Sequence, residues 1–448
     1  MLQNMSHFDS YTHHLTRLAE QQAVMIHEDI CNAQGAVIVP CGRELDASIA
    51  SKLESYQLGK PLEYCVEISD GLDAQKLLSK YQAIVKNHSD IAVFHEKVEL
   101  NDILIEACEH YEDFPLLVQK LTVLSLVFPK EFHQSLLCGY VSLAIVKKMG
   151  ASKSDCMNMF IAALMHDVGI LHLDPNLILD KGEYKAEQWK AMQQHTVIGH
   201  EFMKQVPGLS PCIAKAILEH HERYDGSGYP YSKREKDLGM MGQVIGMADT
   251  CLALYKRELA QKKMGLDALL PILQLNPGLF CRRVFSATVE LIRLLPSSSK
   301  RVYSDEKMPE VISRLMLVNE SIQHDYYILY GLVTSIKPHL PMTKKSHMLT
   351  RMADRIHECL LSSGIMQSEH EEWMVISCGA QQHKDYIAIE RLEIMYSEIK
   401  WQIKQLNRLL YLLWKKEKFK HHALHNQVQK GLFQIANYHK QLNAKAVH

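Results

Sequence analysis

Apolar residues recur three and four positions apart along most of this chain, the period of an amphipathic helix. Leu77, Leu78, Tyr81, Ile84 and Val85 carry the pattern early, and residues 71–129 read as a helical linker. Residues 130–260 continue it in segments broken at Gly150 and at 169–175, 207–211 and 225–230, where glycine and proline end helices. Residues 261–382 read as a helical extension interrupted near 276–278, 296–299 and 337–342. Only the start departs from this period. The tract AVIVP, residues 36–40, is apolar and β-branched between turn-prone stretches and reads as a strand, and 46–58 reads as a short helix. Breaks at Lys60-Pro61 and Ser69-Asp70-Gly71 close residues 1–70 as a small α+β module. The expected fold is mainly α, with that module in front and a long helical region behind.

The last segment, 383–448, is the most regular. Leu392, Tyr396, Ile399, Ile403, Leu406, Leu410 and Leu413 step by four and three alternately, the seam of a heptad repeat. Such a long amphipathic helix either packs on its own domain or pairs two chains as a coiled-coil homodimer. Lys400, Lys404 and Arg408 interrupt it and exclude a membrane span. The basic tract WKKEKFKHH that follows reads as a solvated helix face, not as a nucleic-acid or lipid site.

Composition narrows the class. With 448 residues there is room for two to three domains, and 47% hydrophobic with 23% charged residues describes an ordinary globular protein. A formal net charge of −1 gives no field to attract a nucleic acid polymer or a membrane. Eleven cysteines are scattered singly, as expected of reduced thiols. The start lacks a basic segment followed by an apolar one, and no run is long and apolar enough to span a bilayer. Together these point to the cytoplasm.

The candidate chemistry lies in residues 130–260. Seven potential metal ligands follow one another there: His133, the pair His166-Asp167, His195, the pair His220-His221, and Asp249. Imidazole and carboxylate without thiolate suit a catalytic iron, manganese or zinc site better than a structural zinc. Seven are too many for one open-site ion and suit two ions sharing a carboxylate. His166 and Asp167 follow the apolar face of Phe160, Ile161, Leu164 and Met165, so they sit at the inner end of a buried helix, where each needs a partner. His133 opens another amphipathic helix, and Asp249 lies among Val244, Ile245, Met247 and Ala248. His220 and His221 close a helix, where fraying lets adjacent side chains converge. By contrast His13-His14, His421-His422 and Cys251 read as surface or core residues.

The HD dyad His166-Asp167, the run HTVIGH from His195, HHERYDGSGYP from His220 to Pro230, and MADT around Asp249 resemble the HD-GYP proteins, a branch of the HD phosphohydrolase superfamily. The resemblance implies an HD-type helical bundle around two divalent ions, iron or manganese ahead of zinc. It assigns one ion to His133, His166, Asp167 and Asp249, and the other to Asp167, His195, His220 and His221, with Asp167 bridging. It gives His166 and Asp167 the catalytic roles. It implies a bacterial second-messenger enzyme that hydrolyses cyclic di-GMP, or a related cyclic dinucleotide, to linear pGpG and on to GMP. Two cations sharing a water would give hydroxide at neutral pH, and in-line attack would expel the 3′ oxygen. Gly228, Tyr229 and Pro230 fit a binding rim, with Tyr229 stacked on a guanine and Arg223 near the phosphates; the same loop is a candidate surface for a signalling partner.

The sequence departs from the family where phosphate is held. Ile170 replaces the Lys of the motif, Gln243 an Arg, and Leu252 an acidic residue; Arg257 matches a later Arg only loosely. Pro129 stands where some members have a third-metal Glu. Lys181, Lys185 and Arg223 are the nearest substitutes. The alternative reading is a weak or inactive member serving as a cyclic-dinucleotide receptor or an interaction scaffold.

Overall fold

The computed structural model describes residues 10–20, 22–179, 184–296, 301–380, 383–416 and 422–445. The first nine residues, Lys181, His421 and positions 417–421 of the basic tract lie outside the described residues. The chain forms two compact units. One comprises residues 1–222, 229–252 and 286–294; the other comprises 223–228, 253–285 and 295–448.

The first unit begins with the expected α+β region. Val24–Ile26 pairs antiparallel with Val66–Ile68, and Ile30–Cys31 with Val37–Val39, the tract read as a strand. The short helix is Ala47–Glu54; the Asp46 carboxylate accepts the Ile49 N–H at 2.7 Å and caps it. Helices then follow without further strands among the described residues. Pro115–Val127, Pro129–Lys148 and Pro211–Glu219 each open on a proline, which costs no hydrogen bond at a helix start. Pro129–Lys148 ends in a Schellman motif. The N–H of Gly150 bonds Lys147 O, the N–H of Ala151 bonds Val146 O, and Gly150 supplies the required φ of +73°. Helix Lys153–Leu164 packs against Pro129–Lys148 and is buried on every side from Met159 to Leu164. A helix apolar all round belongs inside a core.

A buried charge pins the α+β region to the helices of this unit. Lys120 is 0% exposed; its ammonium pairs with Glu63, lies 2.9 Å from His172 Nε2 and sits 3.1 Å from the centroid of the Tyr11 ring. Beside it, Gln119 accepts the Tyr11 hydroxyl at 2.9 Å and donates to the carbonyls of Glu63 and Val66. The cation is thus offset by one carboxylate and by the faces of two aromatic rings, Tyr11 and, at 4.6 Å, Phe202.

The second unit is a bundle of long helices: Met308–Ile336, Lys344–Ser363, Ser368–Ala380, His383–Lys416 and His422–Lys445. The seam of Leu392, Tyr396, Ile399, Ile403, Leu406, Leu410 and Leu413 is buried throughout, inside a cluster shared with Leu315, Ile322, Leu329 and Leu349. Of the two readings of the heptad, packing on its own domain holds: the apolar stripe that a coiled-coil homodimer would need is consumed within the chain. His422–Lys445 packs against Met308–Ile336 and His383–Lys416, so the terminal region is two helices, not one. No described helix is long and apolar enough to cross a membrane, and no described cysteine is in a disulfide.

Replacing Lys120 by Ala strands a buried carboxylate at Glu63, which costs about 3–5 kcal/mol. The first unit of Lys120→Ala should therefore unfold at clearly lower urea concentration than wild type. An unchanged midpoint would show that the pair holds nothing.

Candidate metal centre

Three helix ends converge on one carboxylate. Helix Lys153–Leu164 is capped by Ser152, whose hydroxyl accepts the Asp155 N–H at 3.1 Å; it runs through the core and delivers His166 and Asp167 at its end. The chain then turns through Val168–His172. Gly169 is the contact point with helix His195–Met203: a Cβ there would fall 2.0 Å from His195 O and 2.8 Å from Gly199 N. Only hydrogen fits in that gap, and this closeness sets His195 beside Asp167. Helix Pro211–Glu219 packs on the other side of His195–Met203 and ends at His220 and His221.

The imidazoles are oriented by one repeated device. Nδ1 of His166 lies 2.8 Å from Ala163 O, Nδ1 of His195 2.6 Å from Met192 O, and Nδ1 of His220 2.6 Å from Ile217 O. A carbonyl can only accept, so each Nδ1 carries the proton and donates it three residues back. Each Nε2 is thereby turned towards Asp167. His166 Nε2 is 3.3 Å from Oδ2, while His195 Nε2 and His220 Nε2 are 3.3 Å and 3.8 Å from Oδ1. The two oxygens of Asp167 thus face different imidazoles. Ligand atoms of Asp167, His195, His220 and His221 all lie within 4.8 Å of one another.

This arrangement suits a cation. His195 Nε2 and His220 Nε2 stand 3.4 Å apart with their ring protons committed at Nδ1, so in the neutral rings two lone pairs face each other. His166 Nε2 is fully buried and is left without a satisfactory hydrogen bond. Nitrogen donors turned inward with the opposite ring nitrogen anchored to a carbonyl are the usual supports of a metal ligand. The electrostatics agree. Burial opposes ionisation of Asp167, yet the imidazoles of His166, His195 and His220 hold its carboxyl well below the usual range. Burial and the neighbouring His166 and His195 push His220 well below an ordinary imidazole. Burial pulls His166 the same way, but Asp167 beside it prevails and holds it well above.

Of the seven predicted ligands, four form the mutual set, and His166 adjoins it through Asp167. His133 and Asp249 lie outside the set. His133 is exposed in the first turn of Pro129–Lys148. Asp249, half-buried on Met240–Leu254, accepts from Gln134 Nε2 at 3.1 Å, so a neutral side chain ties together the helices carrying this pair. Tyr229 lies against the set: its ring stacks on His221 at 4.6 Å and 26°, and its N–H bonds His221 O at 3.1 Å. Arg223 and Gly228 belong to segment 223–228 of the second unit, where the Arg223 guanidinium lies 5.1 Å from the centroid of the Phe280 ring. Pro230 begins the return of the loop.

Residues that sequence reasoning left without a role hold this loop in shape. Glu222, 1% exposed, accepts the N–H of Tyr231 at 2.6 Å and of Lys233 at 3.0 Å. Glu219, 0% exposed, accepts Lys233 Nζ and the N–H of Gly239, both at 2.7 Å. The signal for Glu222 was its place directly after His220-His221. Cys138, a thiol pushed up by burial, donates to Ile245 O at 3.9 Å within the core.

Known proteins resemble the stretch that carries this site. A model described as "HD domain" matches residues 121–280. A "Cyclic di-GMP phosphodiesterase" of Thermotoga maritima is 30% identical over 40% of this chain and 50% of its own length. A "3'3'-cGAMP-specific phosphodiesterase 3" of Vibrio cholerae is 30% identical over 37% of this chain and 35% of its own. A "Cyclic di-GMP phosphodiesterase response regulator RpfG" of Xanthomonas campestris is 26% identical over 31% and 37%. This stretch of the chain belongs to the HD-GYP family. The chain spans half or less of the length of these relatives.

Within the HD-GYP domain the family's phosphate-holding positions are filled differently and lie inside. Ile170 is 1% exposed in the turn after the dyad, and Gln243 is buried on Met240–Leu254. Neither brings a cation to the centre.

Two outcomes follow. Protein purified without chelator should carry iron, manganese or zinc, and Asp167→Ala should carry at least one ion per chain less by elemental analysis; metal-free wild type would overturn the assignment. Gly169→Ala forces His195–Met203 away from the dyad, at about 1–3 kcal/mol for overpacking. It should lower thermal stability and bound metal together, whereas full retention of metal would show that the glycine contact does not set the site.

Proposed function

We propose that this chain is a metal-dependent phosphodiesterase that opens cyclic di-GMP to linear pGpG, with GMP as the further product. The observation that carries this reading is Asp167 with a different imidazole on each oxygen, the arrangement of a carboxylate able to bridge two cations. His133, His166, Asp167 and Asp249 would hold one ion, and Asp167, His195, His220 and His221 the other. The donor set of imidazole and carboxylate favours iron or manganese. Bound there, the ions supply positive charge that polarises a phosphodiester oxygen and lowers the pKa of water.

The chain's own residues do the rest. The carbonyls of Ala163, Met192 and Ile217 keep the ring protons of His166, His195 and His220 on Nδ1, so their Nε2 atoms stay available. Asp167 offsets the charge that collects at the centre. Tyr229, stacked on His221, fixes that ring. The names of the relatives support a cyclic dinucleotide as substrate.

A second reading, a cyclic-dinucleotide receptor or scaffold, is favoured by the buried Ile170 and Gln243. One missing charge-assisted contact to phosphate costs about 1.5–3 kcal/mol, roughly ten- to hundredfold in turnover. The deciding assay incubates purified protein with Mn²⁺ or Fe²⁺ and cyclic di-GMP and follows products by chromatography. The expectation is slow, chelator-sensitive formation of pGpG, lost in Asp167→Ala and accelerated about tenfold or more in Ile170→Lys. Metal-loaded wild type that binds cyclic di-GMP and 3'3'-cGAMP but leaves both intact would install the receptor reading instead.

A further inference from the structure

An aromatic wall rises beside the metal centre, and no metal-binding or core-packing role accounts for its outermost member. Trp189 lies on the short helix Ala186–Met192, six residues before His195, and is 43% exposed. Its ring meets Tyr229 edge-on, at 5.7 Å and 78°, and lies beside Tyr184 at 6.1 Å and 32°. Both neighbours are anchored: Tyr184 donates its hydroxyl to Leu177 O at 3.1 Å, and Tyr229 stacks on His221. The rings thus run in sequence from His221 through Tyr229 to Trp189 and Tyr184. One face of Tyr229 is already covered by His221, so Tyr229 is a poor platform for a base. An indole is the strongest of the three stackers, and this one stands in solvent.

We infer that Trp189 is the nucleobase-stacking residue of this site, braced by Tyr184 and Tyr229, and that it takes a purine of the cyclic dinucleotide while the adjoining phosphodiester reaches the metal centre. The inference rests on the phosphodiesterase reading for its substrate class, but not on turnover. Stacking reads the flat face of a base and demands no hydrogen-bond pattern. Trp189 therefore sets a preference for base-bearing diesters over simple ones and tolerates guanine and adenine alike. It is a positioning residue, two rings removed from the nearest metal-set imidazole.

The test uses the full chain as purified. Binding of cyclic di-GMP and of 3'3'-cGAMP is titrated calorimetrically to wild type, Trp189→Ala and Trp189→Phe, with bound metal measured in each. Trp189→Ala should weaken both dinucleotides by about tenfold or more, the usual worth of one stacked base. Its metal content should match wild type, and Trp189→Phe should recover most of the affinity. Where turnover is measurable, Trp189→Ala should raise KM more than it lowers kcat. Unchanged affinity in Trp189→Ala would overturn the inference, as would loss of metal in step with affinity, or a wild type that binds neither dinucleotide. A wild type that binds both through Trp189 without hydrolysing them sinks the enzymatic reading and leaves the stacking residue in place.

Discussion

Asp167 must stay ionised in a buried setting, and most of the first unit can be understood as meeting that condition. Its two oxygens face His166 on one side and His195 with His220 on the other. A carboxylate taken out of water needs such partners. The imidazoles would themselves turn freely were their Nδ1 atoms not bonded to carbonyls three residues back. Spending one ring nitrogen on the backbone makes the other an inward-facing donor, and three rings so arranged create a demand for positive charge that water cannot meet.

Convergence of three helix ends on one side chain demands rigid surroundings. The apolar end of helix Lys153–Leu164, from Met159 on, supplies that behind the dyad, and the bare hydrogen of Gly169 lets the His195 helix close from the front. Five residues beyond Asp167, His172 lies against Lys120, whose ammonium pairs with Glu63 of the α+β region. The same few turns of chain therefore carry the His166-Asp167 dyad at one end and touch a buried ion pair at the other.

How much of this was legible in sequence depended on distance along the chain. His220 and His221 adjoin one another at a helix end, and His166-Asp167 lie one residue short of Gly169, so local spacing placed them at helix termini. The mainly α fold followed from period, and the strand at 37–39 from a β-branched apolar tract between turns. The heptad showed which face of His383–Lys416 would be buried, but a stripe does not name what covers it; the other long helices of the same bundle do. Lys120 and Glu63 are 57 residues apart, and nothing periodic links them. The tie from Gln134 to Asp249 was invisible for the same reason. Trp189 went unnoticed because a lone tryptophan carries no pattern; its orientation against Tyr229 appears only in three dimensions.

The grips of Glu222 and half of those of Glu219 are on main-chain amides: those of Tyr231, Lys233 and Gly239. Amides are supplied by almost any residue type. The path of this rim is therefore inherited independently of the side chains it displays, and descendants of the chain can exchange Tyr231 and its neighbours, altering what the rim touches, without dismantling the scaffold beneath.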